Sequence, residues 1–211
     1  MTTTPDLAEL RRTRARQAPI EQWARDVLAD PGTVALDLET TGLGRAYVVE
    51  AAVVRMDGTA MLDTLVNPRH PISPDATKVH GLTEDHVRHA PTWPEILPEL
   101  TRILADRRIV IYHAAFDRRI LRNEMDRYHR TQDPSTAVPT DQWHPLAGQW
   151  VEKLHTECAM KKHAEWVGQW STQHDHWRYW PLPGDHRAAG DCRALIRRLR
   201  DIAGHQPGED E

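Results

Sequence analysis

Only two cysteines, Cys158 and Cys192, occur in the 211 residues, too few for a disulfide framework. No long apolar run interrupts the chain and no hydrophobic leader opens it, so neither a membrane span nor export is expected, and the cytoplasm is the expected compartment. A surplus of basic charge is missing too. Lys plus Arg number 27 against 31 Asp plus Glu, a formal net charge of -4, which excludes a basic coat that would hold long duplex DNA by charge alone. Any affinity for phosphate must then come from bound cations or from local arginine clusters, found at 11–16, 118–122 and 193–200. Taken alone, each cluster reads as a solvated helix face.

What is present suits one globular domain: 39% hydrophobic residues and no internal repeat. Residues 1–18 show little pattern, and Ile20, Trp23, Val27 and Leu28 then recur at helical spacing up to Pro31-Gly32. This predicts a loose arm and a short amphipathic helix over 1–30. The catalytic domain is expected over 31–204. It opens with the apolar run TVALDLE, a buried central strand, followed by two β-rich segments flanking Asp57-Gly58, a hairpin signal. A helix is expected over 92–106, capped by Thr92, with Ile96, Leu97, Leu100, Ile103 and Leu104 on one face. RIVIYH follows as a fourth strand and 117–128 as a helix. A proline-broken insert is expected at about 131–149, helix at 157–170, loop at 171–185, helix at 187–203 and a disordered acidic tail at 205–211. Strands first and alternating helices later indicate an α/β mixed sheet flanked by helices, three antiparallel strands preceding the parallel additions.

Asp37 and Glu39 stand two apart in the most apolar strand, so both carboxylates face the same side near its end. Two like charges buried together force a proton onto one of them unless a divalent cation sits beside them. One solvated carboxylate and one salt bridge would satisfy the same pattern. Asp117, after the fourth strand, reads by itself as an acid complementing a helix N-terminus. Asp191 lies five residues after His186, about 140° around an α-helix, so the pair can converge only if His186 lies on the loop before the helix. Pro183-Gly184 upstream permits that. A loop imidazole beside a carboxylate site suits a general base acting on water.

The segments DLETTGL, HGLTEDHV, YHAAFD and HRAAGDCRAL, in this order and spacing over roughly 33–203, resemble the motifs of the DEDDh (DnaQ-like, proofreading-type) 3′→5′ exonuclease superfamily. The resemblance implies a ribonuclease-H-like fold. It implies catalysis by Asp37, Glu39, Asp117, His186 and Asp191, with the four acids holding two divalent cations, Mg²⁺ or Mn²⁺ for all-oxygen ligands, and His186 as base. It also implies a partner, nucleic acid with a free 3′ end and by overall likeness single-stranded DNA, in the setting of a polymerase or repair complex. Thr40, Thr41 and Leu43 would hold the terminal nucleotide, with His80 and Phe116 as further substrate-side candidates. Where the family's second motif usually carries His-Asn, this chain has Tyr112-His113, which leaves the acid in place and alters any contact to the terminal sugar. An exoribonuclease of the same superfamily, a silent nucleic-acid-binding module and an Asp37 phosphatase are alternatives. The tryptophans at 143, 150, 166, 170, 177 and 180 suit helix packing or base stacking. His155, Cys158, His163, His174 and His176 match no recognised zinc spacing.

Overall fold

The computed structural model describes residues 7–130 and 139–204. A long helix α1 (Leu7–Ala29) leads into strands β1 (Val34–Thr40), β2 (Val48–Arg55) and β3 (Ala60–Leu65). Short helices α2 (Pro74–His80) and α3 (Glu84–Val87) precede α4 (Trp93–Leu104), β4 (Arg108–Ile111) and α5 (Ala114–Arg130). After a short 3₁₀ turn come α6 (Trp143–Lys153), β5 (His155–Cys158), α7 (Ala159–Val167), the two-residue strands β6 (Trp170–Ser171) and β7 (His176–Trp177), and α8 (Ala188–Ala203).

The sheet runs β3-β2-β1-β4-β5. Its first three strands are antiparallel, and β4 and β5 are added parallel to β1. The β2–β3 connection is the expected hairpin. Gly58 takes φ 93, which a side chain would strain, while the Thr59 N–H reaches the Asp57 carboxylate at 2.8 Å. Alternation along β1 decides what each face carries. Val34, Leu36 and Leu38 join Leu100, Ile103, Ile120 and Leu121 beneath α4 and α5. Ala35 joins Ala52, Val54 and Val110 against α1 and α8. Each large side chain so buried contributes about 1.5–3 kcal/mol. Asp37 and Glu39 fall in phase with Ala35 and therefore face α8.

The helix α4 begins at the Thr92 cap, whose N–H and hydroxyl both meet Glu95, and its five predicted apolar positions are all buried. Other elements depart from the sequence reading. In place of a loose arm and a short helix, α1 runs 23 residues and passes through Pro19. Its second half is anchored by buried Ile20, Ala24 and Val27. The first half, rich in Arg and carrying Ala8 and Ala15, propagates from that anchor because such residues lose little on entering a helix. The expected insert is helical from Trp143 onward, with Ala147 and Val151 buried under α5; its residues 131–138 lie outside the described set. The stretch read as helix from 157 contains the end of β5, and the 171–185 loop holds the β6–β7 hairpin. The tail 205–211 and residues 1–6 also lie outside the described residues. Among those described, no helix is long and apolar enough to cross a membrane.

Candidate active site

The candidate site sits where β1 and β4 part company. Their parallel ladder pairs only Val34 with Ile109 and Ala35 with Val110, so the backbone of β1 beyond Ala35 loses its neighbour. Asp117, in the first turn of α5, fills that place. Its buried carboxylate accepts the Leu38 N–H, satisfying a donor that would otherwise be orphaned. The acid read as a helix-start residue is therefore turned inward against the strand that carries Asp37 and Glu39.

Asp191 and His186 arrive from the opposite side. Helix α8 starts at Ala188, so His186 precedes it, at φ 57 in the left-handed region. That turn lets the His186 N–H reach Asp191 Oδ1 at 3.2 Å. Donor atoms of Glu39, His186 and Asp191 all lie within 4.8 Å of one another. Gly184 makes the approach possible, because a Cβ there would stand 1.7 Å from Asp191 Oδ1. Gly190 does the same for Asp185, at 1.9 Å.

Sequence reasoning missed Glu50 and Arg187. Glu50 stands opposite Glu39 across the β1–β2 ladder, hence on the same face. Buried to 3% exposure, it receives Arg187 in a bidentate pair and the Ala188 N–H at 2.9 Å. This clasp ties the start of α8, and with it the loop carrying His186, to the sheet. The sequence offers one cue, the arginine adjoining His186; that Glu50 faces Glu39 appears only in the strand register.

The electrostatics follow from burial and from like charges held together. Burial, followed by the charges of Asp117, Glu39, Asp191 and Glu50, holds the Asp37 carboxyl well above the usual range. Burial, followed by Asp191 and Glu50, raises Glu39 to about 8. Burial raises Asp117 to about 7 against the opposing pull of two backbone N–H groups. Asp191 is raised as well, burial outweighing the His186 contacts. Burial and mutual repulsion thus oppose ionisation of all four acids, and carboxylate oxygens crowded in this way fit hard divalent cations. The histidine and cysteine set weighed for zinc does not assemble. Among the described residues the metal-capable group of three is Glu39, His186 and Asp191. His163 is instead buried against Arg198, and burial followed by that charge lowers it to about 4.

The predicted substrate-side residues divide. Thr40 and Thr41 are buried and internally bonded, Thr40 Oγ1 to the Gly42 carbonyl at 2.7 Å and Thr41 Oγ1 accepting the Tyr47 N–H at 3.0 Å. His80 is also buried. Its Nδ1 accepts the Leu82 N–H at 3.0 Å, which leaves the proton on Nε2 for the Thr40 carbonyl at 3.1 Å. Burial lowers its pKa, so it acts as a neutral brace behind the turn. Leu43, by contrast, is 83% exposed. Arg119 fixes it by donating to the Leu43 and Gly44 carbonyls while lying over the Phe116 ring at 5.1 Å. Leu43 and Phe116 are thereby joined through one guanidinium at the rim.

The chain is similar to known nucleases over most of its length. The RNase T family model, described as an exonuclease, matches residues 34–199. The uncharacterized exonuclease CP81 of Escherichia phage 186 is 31% identical over 198 residues, covering 88% of this chain and 95% of that protein. Among solved structures, Exonuclease X in complex with 5′ overhanging duplex DNA is 26% identical with a TM-score of 0.50, covering 82% of this chain and 93% of that one. Exonuclease I of E. coli, in complex with an oligonucleotide, has a TM-score of 0.57 at 16% identity, over 83% of this chain and 41% of its own, and shares the fold. With a family model matched over most of its length and a relative 31% identical over 88% of it, the chain belongs to the RNase T family of exonucleases.

Proposed function

We propose that this exonuclease works from the 3′ end of DNA, releasing nucleoside 5′-monophosphates with the help of two divalent cations, Mg²⁺ or Mn²⁺. The observation that carries the proposal is the convergence of Glu39 from a strand, Asp191 from a separate helix and His186 from the loop before that helix, on the face where Asp37 and Asp117 add their charges. Asp37, Glu39, Asp117 and Asp191 would hold the cations, whose charge when bound neutralises the phosphate and eases both attack by water and departure of the 3′ oxygen. His186, exposed on its loop, would take the proton from the attacking water. The exposed Leu43 and the Phe116 ring would receive the terminal base, and the pinned Thr40–Thr41 turn its sugar. DNA is supported by Exonuclease X, whose described complex is with DNA. The same substrate suits a polymerase or repair setting.

The test is to incubate end-labelled single-stranded DNA and RNA of matched sequence with the protein and Mg²⁺. A ladder shortening from the 3′ end of DNA, lost in chelator and in Asp37→Asn, is expected. Shortening from the 5′ end, or equal cutting of circular strands, would refute the direction. Faster loss of RNA would reassign the substrate.

A further inference from the structure

The catalytic chemistry leaves the segment 169–180, between α7 and α8, without a task. It folds into the β6–β7 arm, pairing Trp170 with Trp177 and Ser171 with His176. Two of its rings, Trp170 and Tyr179, are turned outward, whereas Trp177 lies under Arg16. Trp170 meets Trp177 edge to face at 5.1 Å. His174, His176 and Tyr179 form a near-parallel series, with centroids 5.7 and 4.5 Å apart and planes within 17° and 16°. Trp170 is 52% exposed and Tyr179 38%, so these two rings do not fill a core. Between them opens a cleft of about 730 Å³ whose lining includes His174, His176 and Arg178 and no carboxylate. Asp175 stands at the hairpin turn, outside that lining, so within a chain of net charge -4 the groove itself offers the Arg178 guanidinium to a phosphate and its rings to bases.

The arm is also rooted at the site. The Trp180 carbonyl accepts the Tyr112 hydroxyl at 2.7 Å, just past the end of β4, where α5 and Asp117 begin. Residues 181–185 then join the arm directly to His186. On the proposed direction of degradation, the strand extends from the cleavage site toward its 5′ end, and the arm is tied to that site through Tyr112 and residues 181–185. Every base has a face that can stack on a ring, so such a platform holds single strands without reading sequence.

We propose that the 169–180 arm binds single-stranded nucleic acid on the 5′ side of the scissile bond, stacking bases on the rings of Trp170 and Tyr179. The proposal rests on the 3′→5′ exonuclease reading. Its test compares steady-state kinetics of the full chain on a long single-stranded oligonucleotide and on a dinucleotide, which fills only the cleavage site. Replacing both rings, Trp170→Ala with Tyr179→Ala, is expected to raise KM for the long strand about 10- to 100-fold, the range for losing one or two base–ring stacks. Its kcat, and turnover of the dinucleotide, should match wild type. Trp170→Phe with Tyr179→Phe should restore most of the affinity, since a phenyl ring still stacks. An unchanged KM in the alanine pair overturns the proposal and leaves the surface to a partner protein. Equal losses on both substrates assign the rings a structural role and overturn it as well. If wild type shortens neither substrate from its 3′ end, the exonuclease direction itself fails, a result distinct from either of these.

Discussion

Removing divalent cations should make this protein less stable as pH rises through neutrality, and Glu39 sets the size of the effect. Below about pH 4.5 its carboxyl is protonated in both folded and unfolded chains, and burying it neutral carries no electrostatic penalty. As pH rises, the unfolded chain gives up that proton while the folded one holds it until about pH 8, so stability drains away across this window. At 1.36 kcal/mol per unit, the loss by pH 7 is about 3 kcal/mol. Asp117, raised to about 7, shares the same field, so its contribution overlaps rather than adds. For a domain of this size that corresponds to a fall of roughly 6–12 °C in Tm. The assay is thermal unfolding in chelator at several pH values from about 5 to 8, comparing wild type with Glu39→Gln, whose amide has no proton to lose. Wild type should fall relative to the variant as pH rises, and millimolar Mg²⁺ should close most of the gap. Parallel curves for the two proteins in chelator would refute the argument, as would an Mg²⁺ effect equally large at pH 5.

Three further outcomes follow from the geometry. Glu50→Gln should keep the fold but lose about 10-fold or more in kcat, because the bidentate hold on Arg187 is halved and the His186 loop loosens; kinetics at saturating Mg²⁺ with a CD spectrum decides it, and wild-type kcat would clear Glu50 of a positioning role. Gly184→Ala should cost at least about 100-fold in turnover and raise the Mg²⁺ requirement, since its Cβ would collide with Asp191 Oδ1; an Mg²⁺ titration of activity measures this, and an unshifted requirement would contradict it. His80→Ala should lower stability by roughly 1–3 kcal/mol by leaving the Thr40 carbonyl and the Leu82 N–H unpaired, as read by urea unfolding, and no loss would show that water replaces the ring.

The parts of the site legible in the sequence were those set by local geometry. The period of a strand put Asp37 and Glu39 on one face, and the pitch of a helix required His186 to lie before α8, where its left-handed φ now carries it. Long-range pairings were not legible in this way. Glu50 sits 137 residues from Arg187, and only the β1–β2 register reveals that it shares a face with Glu39. The strand β5 escaped notice because His155–Cys158 is a half-buried edge strand with no apolar run, defined by its parallel pairing to β4. Among the described side chains in the first half of α1 none is buried, so periodicity had nothing to detect. Instead Arg16 lies over Trp177 and Gln17 donates to the Trp166 carbonyl, contacts to a hairpin and a helix that are distant in sequence. Turn chemistry was the reliable signal, as at Asp57-Gly58 and the Thr92 cap.

The engagement of Arg187 by Glu50 also bears on local electroneutrality. Five carboxylates, those of Asp37, Glu39, Glu50, Asp117 and Asp191, act on one another in this corner, and a single guanidinium is committed among them. Fully ionised, the cluster carries a deficit equal and opposite to the charge of two divalent ions. A lone divalent ion would cancel half of it, leaving protons to make up the remainder. Loading the site near neutral pH should therefore expel protons as the ions enter, so the exonuclease would take up its cations more tightly the more alkaline the solution, and the heat of loading would vary with the buffer that receives those protons.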